Sequence, residues 1–139
     1  MTLLRVFLAL IAVLKLLIGG LLILMVLANV NHAFDVAYRP PDWHPVHFVL
    51  IVGAIGIAYP HSLIPLPSPP SVLFLLLAAF PLFVAIGEEP AQEQQDLLPW
   101  LGVVLAGTAF LLAVGEYVSY RWISRWGKEN DLGKNNSKK

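Results

Sequence analysis

At 139 residues the chain is the size of one domain, and 58% hydrophobic content with a mean hydropathy of +0.72 is too apolar for a soluble fold of that size. Nine Lys and Arg balance nine Asp and Glu, so net charge argues for no nucleic-acid partner. Cysteine is absent, which excludes disulfides, thiolate metal sites, iron–sulfur clusters and a thiol–disulfide relay within this sequence.

The first apolar run covers residues 3–28. At ~1.5 Å per residue it exceeds a ~30 Å hydrocarbon core, so it tilts or starts in the interface. Met1 to Arg5 resembles the basic start of a secretory signal. The apolar run continues through Lys15, however, longer than a signal's apolar core and without a small-x-small cleavage site, so it reads as a retained span. A loop from His32 to Pro45 follows, where Pro40 and Pro41 block helix continuation. Asp42 is placed to cap the next helix, with Pro45 in its first turn.

The second span is expected over residues 46–64, apolar until Pro60 and His61. Pro65, Pro67, Pro69 and Pro70 then make a stiff, uncharged connection. A third span is expected over 71–87, short for a crossing, kinked at Pro81 and stopped by Gly87 and Pro90. The segment Glu88 to Asp96 is a compact acidic loop, and the fourth span is expected over 98–120. Residues 121–126 carry it into the interface, closing a four-helix transmembrane domain at 1–127. The polar stretch 128–139 reads as a disordered tail.

Charge fixes the orientation of this all-α, four-transmembrane-helix bundle. Arg5, Lys15, Arg121, Arg125, Lys128, Lys134, Lys138 and Lys139 fall on one side of the span pattern, and only Arg39 falls on the other. The basic side is cytoplasmic by the positive-inside rule, so both termini are expected inside, with a bacterial inner membrane as the setting. Tryptophans give an independent check: Trp43 and Trp100 fall at the outer boundary, and Trp122 and Trp126 at the inner one, as interfacial anchors do.

Two charges sit inside the spans. Lys15 shares a helix face with Ala12 and Gly19, and Glu116 continues a face that carries Gly102, Ala106, Ala109 and Ala113. Small residues mark close helix contact in membranes, so both charges are expected to point inward. A lone charge at the bilayer centre costs on the order of 3 kcal/mol, which favours pairing Lys15 with Glu116 over separate snorkelling. Gly53 and Gly56 in the second span, like Gly19, read as packing positions.

His44 and His47, spaced i, i+3, together with Asp42 and His32, have the ligand chemistry for zinc or copper at the outer side. His47 and His61 have a spacing that resembles the haem-ligating helices of diheme membrane cytochromes, but the third and fourth spans contain no His to complete such a set. An intramembrane glutamate in a four-helix chain of this size resembles the small multidrug transporters, which carry it in the first span, where this chain has Lys15. There is no phosphate-binding Gly-rich loop and no Ser–His–Asp arrangement. The expectation is therefore a non-enzymatic accessory or assembly subunit without a cofactor, its partners the lipid bilayer and another membrane protein or further copies of itself. The alternatives are a proton- or cation-coupled transporter using Glu116, and a haem- or metal-binding redox protein using the outer histidines.

Overall fold

The computed structural model describes residues 2–33, 35–87 and 98–137, with the backbone alone for residues 98–100. Five helices make up the described chain: α1 (Thr2–Val30), α2 (Pro45–Ala58), α3 (Ser68–Ala78), α4 (Phe80–Gly87) and α5 (Leu98–Asn136). Three stretches are long and apolar enough to cross a membrane: α1, α3 with α4, and α5. The described residues contain no strand.

Helix α1 buries one stripe, Leu8, Ala12, Lys15, Gly19, Val26 and Val30, and leaves most of its other leucines outside. Leu10, Leu17, Leu21 and Leu24 are each at least 60% exposed, an apolar exterior suited to lipid rather than water. The interior is the reverse. Its fully buried alanines are Ala12, Ala54, Ala78 and Ala113, while Lys15, His61 and Glu116 are among the largest fully buried side chains. Helices in lipid gain no hydrophobic free energy by touching one another, so small residues and polar contacts must supply their association.

The end of α1 is closed by a Schellman arrangement. His32 sits at φ 51, Ala33 N–H donates to Ala28 O at 2.9 Å, and His32 N–H donates to Asn29 O at 3.0 Å. Asp42 N–H then returns to Val30 O at 3.0 Å and ties the loop to the helix end.

Helix α2 spans 14 residues, shorter than the expected 46–64. Its ~21 Å length falls short of a ~30 Å core. Pro60 is the cause. The residue before a proline is driven out of the α region, and Tyr59 accordingly has φ −59 and ψ 118. Leu63 and Ile64 N–H then both turn back onto Pro60 O, at 3.1 and 2.9 Å.

The third span begins earlier than expected, at Ser68, because Pro69 and Pro70 fit a helix's first turn, where N–H groups have no intrahelical partner. It is divided at Ala79, whose N–H makes the tighter bond to Leu76 O at 3.2 Å. Pro81 has no N–H for Leu77 O, and that freed carbonyl lies against Gly53 of α2.

Helix α5 continues to Asn136, so residues 128–136 of the expected disordered tail are helix, and Ser137 is a turn. No proline interrupts this stretch, and Arg125 with Glu129 and Lys128 with Asp131 have helix-supporting spacings.

Helix α2 lies between α1 on one side and α3 on the other, and α5 closes the bundle against α1, α3 and α4. A small core of Ile57, Ala78, Ala109 and Ala113 lies where α2, α3 and α5 meet.

Candidate functional site

Descending antiparallel to α1, the short α2 ends beside Lys15, near the middle of the 29-residue α1. Broken helix backbone at that depth exposes carbonyls and N–H groups with no helical partner, tolerable in a membrane only inside protein or along a water-lined cavity. The two intramembrane charges occupy this break. Lys15 Nζ donates to Tyr59 O at 2.7 Å and to Glu116 Oε2 in an ion pair buried on both sides. Ser62 N–H donates to Glu116 Oε1 at 2.9 Å, and Ser62 Oγ donates to the same oxygen at 2.6 Å. Leu8 O lies 3.4 Å from Ser62 Oγ, but the hydroxyl has one proton and the shorter contact takes it.

Each charge therefore does two things. The ammonium neutralises the carboxylate and also sits at the C-terminal end of α2, where unpaired carbonyls make a cation favourable. The carboxylate neutralises the ammonium and collects the amide and hydroxyl of the turn that follows. Side chains of α1 and α5 thus bond the first carbonyl after α2 and the Ser62 turn of its connection to α3.

An aromatic group lies alongside. His61 is 1% exposed, and its ring meets Tyr59 edge-on at 4.8 Å and Tyr117 at 5.3 Å. Tyr59 stacks on Phe74 at 4.3 Å and donates its hydroxyl to Ile64 O at 2.6 Å. Neither ring nitrogen of His61 has a hydrogen-bond partner among the described residues. A cavity of about 560 Å³ opens between α1 and α5 at the end carrying Arg5 and Lys128, and Ser62 is on its wall.

Tyr59, His61 and Ser62 were not singled out with Lys15 and Glu116 from sequence. Pro60 was the available signal: a proline ending an apolar helix early leaves its neighbours as the groups that buried charges must satisfy.

The remaining candidates separate. Ala109 and Ala113 are buried on α5, and Ala106 is half-buried. Gly19, Gly53 and Gly56 are at close helix crossings, whereas a Cβ on Gly102 would meet nothing within 4 Å among the described residues. Trp43, Trp122 and Trp126 are exposed, at 44%, 55% and 48%, as membrane-facing rings are. The side chain of Trp100 and the loop Glu88 to Asp96 lie outside the described residues.

His32, His44 and His47 have local roles. His47 Nδ1 accepts the His44 N–H at 3.0 Å, half of a capping box at the start of α2. His44 Nε2 lies 3.3 Å from Asp42 Oδ2, and His32 Nδ1 lies 3.6 Å from Asp35 Oδ2. No three His, Asp or Glu among the described residues converge as a metal site would need, so His32, Asp42, His44 and His47 are not gathered into one. No protein-family model, curated protein or solved structure shows significant similarity to the chain.

Proposed function

We propose that the chain is a non-enzymatic membrane protein, a four-crossing bundle with both termini cytoplasmic, serving as an accessory or assembly subunit of a larger complex in a bacterial inner membrane. The engagement of the buried pair carries this reading. Lys15 directs two of its three N–H donors to Glu116 and Tyr59 O, and Glu116 accepts from Lys15 and twice from Ser62, so the interior charges are already spent on holding the fold. In the four-crossing reading, α2 and the turn after it together make the second crossing, and the turn lies in the inner leaflet.

The eight-to-one Lys/Arg split and the tryptophan positions support the orientation. Reporter fusions at Lys139 and between Glu88 and Asp96 are expected to report opposite sides, with Lys139 cytoplasmic. A periplasmic signal at Lys139 would overturn the orientation.

Purification of the full chain in a mild detergent is expected to recover a stoichiometric second membrane protein. Recovery of the chain alone or only as copies of itself, together with proton or cation flux in reconstituted vesicles, replaces the accessory reading with a coupled transporter. His61 favours that second reading, because a buried imidazole with neither nitrogen partnered among the described residues lies one residue from Ser62, which bonds Glu116. Under it, Glu116→Gln abolishes flux.

A further inference from the structure

The cavity at the Arg5 end is a built cleft between two helices rather than a general basic surface. Arg5 of α1 and Lys128 of α5 line it from opposite sides, with Tyr120 and Ser124 between them on α5. None of the ion pairs among the described residues includes Arg5, Lys128 or Asp131. Two cations and three hydroxyl-bearing residues, Ser62 among them, thus line one concavity, with Asp131 as its single acid.

Part of its wall is different. Leu8, Ala9, Leu63 and Ile123 are apolar, so the cleft sets its charges and hydroxyls beside hydrocarbon. A soluble anion uses only the first part of such a surface. A phospholipid uses both: the phosphate between the cations and hydroxyls, the acyl chains along the apolar wall and the exposed faces of α1 and α5. Basic pockets between transmembrane helices bind anionic headgroups for this reason.

We propose that this cleft is a binding site for one anionic phospholipid, its phosphate held between Arg5 and Lys128. The site depends on α1 and α5 sharing an end and not on which leaflet that end occupies. It stands independently of the accessory-subunit reading. Arg121 and Arg125 are on the same helix but do not line the cleft, which separates local binding from diffuse attraction.

The test uses the full chain, delipidated in mild detergent at about 150 mM salt, where the screening length is ~8 Å. Phosphatidylglycerol is titrated and followed by native mass spectrometry and thermal unfolding, against phosphatidylcholine and inorganic phosphate. One phosphatidylglycerol is expected to bind and raise the unfolding temperature, with phosphatidylcholine much weaker. Arg5→Gln and Lys128→Gln should each weaken binding about fivefold, in line with the contribution of one basic residue near an anionic headgroup. Asp131→Asn should tighten it, a gain that a damaged fold does not give. Arg121→Gln combined with Arg125→Gln should leave it nearly unchanged. Equal loss in that control pair, or no preference for the anionic lipid, overturns the site. Inorganic phosphate protecting as well as the lipid at millimolar concentration overturns the lipid as occupant.

Discussion

Lys15→Met and Glu116→Gln are each expected to destabilise the bundle by about 3–5 kcal/mol, the usual cost of stripping one partner from a buried ion pair. The first change leaves a carboxylate in low dielectric with only Ser62 to support it, and it leaves Tyr59 O without its donor. The second keeps an acceptor for Ser62 but strands an ammonium beside a neutral amide. The double variant removes both charges and is expected to recover well over half of the summed loss. It does not return to the parent level, because Tyr59 O stays unsatisfied and a buried carbonyl without a donor costs about 1–3 kcal/mol. Reversible unfolding of the four proteins in detergent forms a double-mutant cycle. Additive single effects would mean that the pair contributes nothing as a pair, and the proposed structural role would fall with it.

The cycle also discriminates the two functional readings. A pair that only holds helices gives stability losses with any partner-binding loss following in proportion. A proton-exchanging Glu116 gives a variant, Glu116→Gln, whose transport loss far exceeds its loss of stability.

The inward position of the two charges was legible because the sequence places small residues at helical spacing around each, Ala12 and Gly19 with Lys15, Ala109 and Ala113 with Glu116. That pattern permits close backbone approach in a membrane, and here it carries the charges into the contact. Why the charges are there was not legible. The answer lies in the break after Ala58, and hydropathy over residues 46–64 stays high enough to pass for one continuous helix. Pro60 within that run carried the warning: tertiary contacts decide whether a proline kinks a helix, as Pro81 does, or ends it, as Pro60 does. At Pro81 a second helix resumes immediately, and the freed Leu77 carbonyl packs against Gly53. At Pro60 the chain turns away, and charged side chains take over the unsatisfied groups.

The extension of α5 was missed for a related reason. Polar composition suits disorder, but the charges after Trp126 are also spaced for a helix, and composition alone does not separate the two.

Gly56→Ala is expected to cost about 2–3 kcal/mol, large for one added methyl in a helix and opposite in sign to its local effect. By helix propensity alone, alanine for glycine stabilises by up to ~1 kcal/mol. The gain is overridden because a Cβ on Gly56 would lie 2.6 Å from Ala78 N, 2.7 Å from Phe74 O and 2.8 Å from Leu77 Cβ. Two of those three atoms belong to the backbone of α3 and cannot rotate aside, so the helices must separate. Separation also loosens Gly53 against Pro81 and opens the core that Ile57 and Ala78 share with α5. Gly20→Ala is the matched control: it lies in an α-helix with nothing among the described residues within 4 Å of its added methyl, and is expected to be neutral or stabilising. The comparison is read from unfolding of both variants in the same detergent. Equal effects at the two positions would show that α2 and α3 do not meet as closely as the glycine requires. The seat that Pro81 and its freed carbonyl find against Gly53 would then have to be reconsidered, because the same helix crossing places both glycines.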